Sequence, residues 1–185
     1  MRKIAIVGIG LTKVGELWNK SFKELVTESA FKALDNARIS NIDRIYTGSA
    51  LSLQIQNQGN LGATLADSLG FKGAPAISVE ASGATGGLAF HEAVKSVAAG
   101  RADSVLVCGF EKMTDISASQ NAKALMSCEN QEYTAYTGIN TEGLQGLILR
   151  HYMKKYKVKH EDIALFSINA HKNAANNPYA QFRNQ

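Results

Sequence analysis

Between Val79 and Gly87 the chain reads Val-Glu-Ala-Ser-Gly-Ala-Thr-Gly-Gly. The residues ahead of this stretch, Ala76 to Val79, predict a buried strand. Those behind it, Leu88 to Ala99, predict a helix of small residues. A strand-to-helix turn built from Gly, Ser, Thr and Ala presents backbone N–H groups at a helix N-terminus. Such a place favours negative charge, whether a nucleophile's anion or the oxygen of a polarised carbonyl. Ser82, Ala84, Thr85 and Gly86 are therefore candidate substrate-binding residues, joined by His91 one turn into the helix. Gly83, in the middle of the turn, offers backbone and no side chain.

Other chemistry-bearing residues are sparse. Cys108 sits mid-strand in an apolar run and reads as a core thiol that does not react. Cys128 lies in a polar segment with no histidine or helix start to activate it. His151 and His160 flank basic residues, and His171 lies near Asn173, Asn176 and Asn177. No acid–base dyad and no metal-ligand spacing emerges from these. Gly8-Ile9-Gly10 follows an apolar run but lacks the third glycine of a dinucleotide fingerprint, because position 13 is Lys13. The expected ribose-binding acid is missing too, since the next strand ends in Tyr46-Thr47-Gly48-Ser49. These glycines read as sites of a tight turn and close packing.

The elements that must hold the turn follow from periodicity. Ile4 to Ile9 is a continuous apolar run and predicts a strand buried on both faces. Ser21 and Glu24 form a capping box, so a helix runs from there to about Ala37. Arg44 to Ala50 predicts a strand, and Leu61, Leu65 and Leu69 a short helix stopped at Gly70. Asp103 to Phe110 predicts the last strand. Alternation of strands and helices indicates an α/β layer fold with a mostly parallel sheet. The helix from Leu88 to Ala99 is apolar around much of its girth, which places it between two layers. After Met113 the composition changes. Residues 114–136 are polar and irregular, and two amphipathic helices follow, from about Thr141 to Tyr156 and from about Glu161 to Ala175.

At 185 residues the chain can bury one good core. Hydrophobic residues make up 45% and charged residues 19%, an ordinary globular balance. The net charge of +4 suits an anionic ligand such as a nucleotide-bearing coenzyme, and equally a solvated basic face. The basic run Lys154-Lys155-Tyr156-Lys157-Val158-Lys159 reads as a helix end in water. No apolar stretch reaches the roughly 20 residues a membrane span needs. The short apolar run after Arg2 and Lys3 lacks a cleavage pattern, so a cytoplasmic protein is expected. Nothing points to nucleic acid.

Four stretches resemble the thiolase superfamily: the turn from Val79 to Gly87, Val105 to Thr114, His151 to Tyr156, and Asn176 to Phe182. The last two resemble its sterol-carrier-type and archaeal acetyl-CoA acetyltransferase branch. With residues 6 to 15 the resemblance spans nearly the whole chain. It implies an α/β fold, a thiolase-like N-terminal half (layered αβα, mixed sheet) over residues 1–113 without its last strand, plus a mostly helical loop domain covering coenzyme A over 114–185. It implies an acetyl-CoA C-acetyltransferase type of acyltransferase, with a coenzyme A thioester as substrate or ligand and no covalently bound cofactor. In that family a cysteine stands three residues before the first glycine of the Gly-Gly pair and takes the acyl group. Here that catalytic position is Gly83. The remaining catalytic groups belong to the family's C-terminal half.

The resemblance therefore implies a subunit or a fragment, inactive alone: a subunit would be partnered by a separate chain supplying that half, and a fragment would be a truncated thiolase whose cysteine is lost. It also implies a homo-oligomer in which Ala76 to Val79 pairs across a two-fold axis, and a zinc-ribbon/OB-fold acyl-CoA-binding protein as a further partner. Two other functions are compatible with the missing nucleophile. One is a subunit of a cysteine-independent aldolase acting on 3-hydroxyacyl-CoA. The other is a non-catalytic acyl-CoA-binding or scaffolding module.

Overall fold

A computed structural model describes residues 2–183. The described residues divide into two compact units. The first joins residues 2–12 with Leu17–Ser117, and the second joins Lys13–Glu16 with residues 118–183.

The first unit is built on a three-stranded sheet. Helix α1 (Phe22–Ala37) opens with the expected capping box. The Ser21 hydroxyl accepts from the Glu24 N–H at 3.2 Å, and the Glu24 carboxylate accepts from the Ser21 N–H at 2.7 Å. A cap of this kind is worth about 1 kcal/mol. The helix stops because Arg38 turns left-handed, at φ 56°, and returns its N–H to Leu34 and Asp35 carbonyls. Strand β1 (Arg44–Gly48) follows, then the one-turn helix α2 (Ser52–Ile55), α3 (Leu61–Leu69) ended by Gly70, and β2 (Ala76–Val79). Helix α4 spans Thr85–Ala98 and β3 Val105–Gly109. The strand order is β2-β1-β3, with Ile45 beside Ala76 on one side and Leu106 on the other. Both pairings are parallel rather than mixed.

Alternation along the strands splits the core between the two sheet faces. Ile45, Leu106 and Cys108 pack with Val26, Ala30 and Leu34 of α1 and with Leu65, Ala66 and Leu69 of α3. The neighbouring positions, Tyr46, Val79, Val105 and Val107, meet Ala89 and Ala93 of α4. Helices thus cover both faces. Gly62 lets α3 come against β2: a Cβ there would lie 2.7 Å from the Ala76 carbonyl oxygen.

Two expectations are corrected here. Ile4 to Ile9 is not a strand and is not buried. It pairs with no strand, and Ile6, Val7 and Ile9 are 69%, 60% and 76% exposed. The run lies instead on α1. A Cβ on Gly8 would meet the Ala33 carbonyl oxygen at 2.2 Å, one on Gly10 the Ser29 carbonyl oxygen at 1.9 Å, and the Ile9 N–H donates to Asn36 Oδ1 at 3.0 Å. The glycines serve close packing, as expected, against a helix. A strand buried on both faces needs two covering layers and a paired edge, and the run has neither. Helix α4 is likewise not covered all round. Thr85, Ala89, Ala93 and Ser96 are buried against the sheet, while Phe90 is 46% exposed. One sheet can cover only one side of a helix.

The second unit is helical: α5 (Ala118–Met126), α6 (Thr141–Tyr156) and α7 (His160–Ala175). The segment expected to be irregular contains α5. Ala118, Ala122, Leu125 and Met126 give it a short apolar side at helical spacing, set among Ser119, Gln120 and Asn121, and Ala124 is its buried residue. Helix α6 starts at Asn140, whose Oδ1 accepts from the Gly143 N–H at 2.8 Å. No residue of α6 or α7 is buried, so the apolar sides read from their periodicity lie open. The C-terminal loop is tied by a hydrogen bond from the Val14 N–H to the Tyr179 carbonyl at 3.0 Å. His171 stands 6.1 Å, ring to ring, from Phe182. No helix among the described residues is long and apolar enough to cross a membrane.

The loops at the amino ends of the strands carry a pH-sensitive clamp. Asp43 accepts from the N–H groups of Asp103 and Ser104, both at 2.9 Å, and from the Ser104 hydroxyl at 3.1 Å. These bonds, the Ser104 amide foremost, hold its carboxyl below the usual carboxylate range. A folded pKa below the unfolded one, about 3.9, contributes stability above that value and loses it as pH falls through the folded pKa. Asp43→Asn is therefore expected to lower Tm at pH 7 and to narrow its gap to the parent below about pH 4. A thermal melt series across pH checks it, and a gap that stays constant would contradict it.

Candidate functional site

All three strands of the parallel sheet run the same way, so their carboxyl ends lie together. Gly48-Ser49, Val79-Glu80 and Gly109-Phe110-Glu111 meet there, with the Phe110 N–H donating to the Gly48 carbonyl at 3.2 Å. In open α/β sheets this end is where ligands bind. The turn after β2 is part of it.

The turn is pinned by its own residues. Ser82–Ala84 form a single 3₁₀ turn ahead of α4. The Thr85 hydroxyl accepts from the Ala81 N–H at 2.9 Å and donates to the Ser82 carbonyl at 2.7 Å. The Glu80 carboxylate takes the Ser82 N–H, and the Ala84 N–H reaches the Ala81 carbonyl at 2.9 Å. Thr85 is 5% exposed, so its hydroxyl shapes the turn from inside. Ser82 is held left-handed at φ 51°, a conformation that costs a non-glycine residue of order 1 kcal/mol or more. Beneath the turn, Gly48 makes room: a Cβ there would sit 2.4 Å from Thr85 Cγ2.

The outward side of the turn is bare. Gly83, Ala84 and Gly86 are exposed, as is His91, while Ser82 is half-buried. A Cβ added at Gly83, Gly86 or Gly87 would meet nothing within 4 Å. None of the three has a φ in the left-handed region. Neither packing nor backbone conformation therefore demands glycine at these positions. Their smallness opens space on the surface at the start of a helix that no side chain caps. His91 follows Gly87 by four residues, so both stand on one exposed helix face. The turn brings Ser82, Gly83, Ala84, Thr85 and Gly86 together, with His91 one turn farther along α4.

Sequence reasoning passed over Glu111. Its carboxylate accepts from the Ser49 hydroxyl at 3.0 Å, the Leu51 N–H at 3.3 Å and the Ala50 N–H. It thereby ties the loop after β1 to the loop after β3. Ser49 passes the link on, accepting from the Ser52 N–H at 3.0 Å. The signal available was an acid two residues beyond a strand ending in glycine. Next to it Lys112 is buried and paired with Asp115, and its carbonyl accepts from Gln56 Nε2 at 2.6 Å. Cys108 is buried, and burial pushes its thiol up to about 12, so it is not a nucleophile. Among the described residues no group of three His, Cys, Asp or Glu is placed to hold a metal ion. A hollow is lined by residues of α1 and by residues 39–43 and 69–74, which precede β1 and β2. It sits at the amino ends of the strands, away from the turn.

Comparison with known proteins agrees with this geometry. The thiolase N-terminal domain family matches residues 4–185. An acetyl-CoA acetyltransferase of Methanocaldococcus jannaschii is 38% identical over 184 residues, covering 98% of this chain and 46% of that protein. One from Methanothermobacter thermautotrophicus is 35% identical, covering 98% and 48%. Human sterol carrier protein 2 is 30% identical, covering 100% and 35%. The chain thus spans about half the length of the archaeal relatives. A 3-oxoacyl-[acyl-carrier-protein] synthase III from Aquifex aeolicus shares the fold, with a TM-score of 0.52 and 20% identity over 60% of this chain and 45% of that one. A strand–turn–helix of this shape on a parallel sheet, within a match from residue 4 to residue 185, establishes that the chain belongs to the thiolase family through its N-terminal domain.

Proposed function

We propose that this chain forms the turn-bearing half of a thiolase-type acyl-CoA site, of the acetyl-CoA C-acetyltransferase kind, and does not carry out thiolysis by itself. The observation that carries this reading is the bare turn. Gly83, Gly86 and Gly87 face open space at an uncapped helix start, where a thioester can approach the backbone closely. The helix start favours the partial negative charge of the thioester oxygen. Thiolysis needs an acyl-enzyme, and the family position for it carries no nucleophile at Gly83. Ser82 and Thr85 do not stand at that position, and the Thr85 hydroxyl is committed to the turn.

The rest of the site comes, in this reading, from the family's C-terminal half, in a separate chain lying against the open side of α4. Phe90 and the half-buried Val94 and Val97 are apolar residues on α4 that the sheet leaves incompletely covered. The free edge of β2, with Ile77 39% exposed, supports a homo-oligomer formed by pairing of that strand. A zinc-ribbon/OB-fold acyl-CoA-binding protein as a further partner, a cytoplasmic location, and a coenzyme A-covering role for residues 114–185 are parts of the same proposal.

The missing nucleophile favours a second chemistry on the same turn. Retro-aldol cleavage of a 3-hydroxyacyl-CoA needs no acyl-enzyme. A base removes the hydroxyl proton, the oxygen forms a carbonyl as the Cα–Cβ bond breaks and an aldehyde or ketone leaves, and the bond's electron pair passes into the thioester enolate, which oriented donors stabilise until it takes up a proton to give the shortened acyl-CoA. A non-catalytic acyl-CoA-binding role would use the same turn without chemistry. Calorimetry with acetyl-CoA, with and without the C-terminal half of an archaeal relative, tests the common element. Weak heat from the chain alone and tighter binding with the half are expected, because a ligand held on one side stays largely in water. No heat in either arm would overturn the acyl-CoA reading.

A further inference from the structure

Basic and apolar residues share one exposed corner at the end of α6. Between Glu142 and Glu161 the chain has no acidic residue, and from Arg150 to Lys159 it has five cations. Lys154, Lys155, Lys157 and Lys159 are all exposed. Among the described residues none of them joins an ion pair. The dipole of α6 accounts for Lys154 and Lys155 in its last turn. It does not account for Lys157, which forms the left-handed cap, or for Lys159 beyond it. Nor does it explain the apolar residues that share this corner. Ile148, Tyr152 and Tyr156 follow one another at four-residue spacing, so they form a single stripe. They are 69%, 48% and 57% exposed. The two tyrosine rings stand 4.8 Å apart, and Lys155 lies over the Tyr156 ring at 5.3 Å.

We infer that this corner binds an anionic lipid surface, with the Ile148–Tyr152–Tyr156 stripe seated at the headgroup boundary and the lysines meeting the phosphates. Each part of the surface has a use in that setting. Tyrosine suits a boundary because its ring is apolar and its hydroxyl is wet. Long lysine stems lie along apolar surface while their ammonium groups reach the charged layer. A purely solvated helix end would need the lysines and not the stripe. A nucleotide would need a concave site, and the stripe is the convex face of one helix. The lysines stand in a short segment, so they act on one patch of membrane within a Debye length.

Vesicle co-sedimentation of the full chain tests the inference. The chain should pellet with vesicles containing phosphatidylglycerol and stay in solution with phosphatidylcholine alone. Replacing Lys154, Lys155, Lys157 and Lys159 together by Gln should weaken binding on the order of a hundredfold, and raising salt should do the same. Tyr152→Ser with Tyr156→Ser should weaken it at low salt with the charges intact. Far-UV circular dichroism of each variant separates lost binding from a lost helix. Failure to pellet with anionic vesicles overturns the inference. So does unchanged pelleting of the lysine variant, unchanged pelleting of the folded tyrosine variant, or release of the chain by coenzyme A, which would mark a nucleotide site.

Discussion

Gly83→Cys is expected to place a reactive thiol at the start of α4 without disturbing the fold. An added Cβ at this position meets nothing within 4 Å, and its backbone is outside the left-handed region, so the substitution costs little sterically. A thiol at a helix N-terminus loses its proton more readily than a free one. At pH 7 it should alkylate with iodoacetamide about tenfold faster than an ordinary exposed cysteine. The two native thiols frame the measurement. Cys108, pushed up to about 12 by burial, should stay unlabelled. Cys128 is half-buried and is removed from the comparison by working in a Cys128→Ser background. Labelling no faster than an exposed control would show that the turn does not activate a nucleophile at this position. The same variant carries the larger test. With the C-terminal half of an archaeal relative supplied in trans, acetoacetyl-CoA thiolysis should rise by at least about a thousandfold from Gly83 to Gly83→Cys. Equal rates from both would mean that the acyl group is carried elsewhere.

The reach of the sequence is clearest where local signals and local structure coincide. The capping box at Ser21 and Glu24, the stop at Gly70 and the bounds Ala76–Val79 are decided by neighbours in the chain, and all appear in the structure. The turn is legible for the same reason: a cluster of Gly, Ser, Thr and Ala between an apolar strand and a helix interrupts both periodicities and permits the backbone to turn there. Ile4 to Ile9 misleads because an apolar run states only that burial is favoured. Whether anything pairs with it depends on distant chain. Helix α5 is easily passed over because its apolar side, Ala118, Ala122, Leu125 and Met126, is only two turns long and half alanine, inside a polar segment. Glu111 escapes because its partners, Ser49, Ala50 and Leu51, lie about 60 residues earlier, joined only when β1 and β3 align. The inward role of Thr85 is hidden too. Its residue type and place in the turn are plain from the chain, but not that the hydroxyl points back into the turn.

Gly48→Ala should destabilise the first unit and loosen the turn, and Thr85→Ser should relieve it. The new methyl group would fall 2.4 Å from Thr85 Cγ2, far inside contact distance. Thr85 cannot swing away, because its hydroxyl is held by the Ala81 amide and the Ser82 carbonyl and its side chain is buried. Overpacking of this kind costs about 1–3 kcal/mol. The other atoms near the added methyl, the Thr85 and Val79 carbonyl oxygens, lie at an ordinary 3.4 Å. The clash therefore resides in one methyl group. Thr85→Ser removes that group and keeps both hydrogen bonds. Alone it should lower stability slightly, by the loss of one buried methyl, about 1 kcal/mol. Combined with Gly48→Ala it should recover most of the loss, giving a favourable coupling of about 1–2 kcal/mol in a double-mutant cycle. Urea melts of the four proteins measure it. Additive losses would show that Gly48 is required by its own backbone and not by the close approach of α4. The cycle also reports on the site. If the methyl displaces Thr85, the turn that presents Gly83 moves with it. Alkylation of the Gly83→Cys thiol should then slow in the Gly48→Ala background and return with Thr85→Ser.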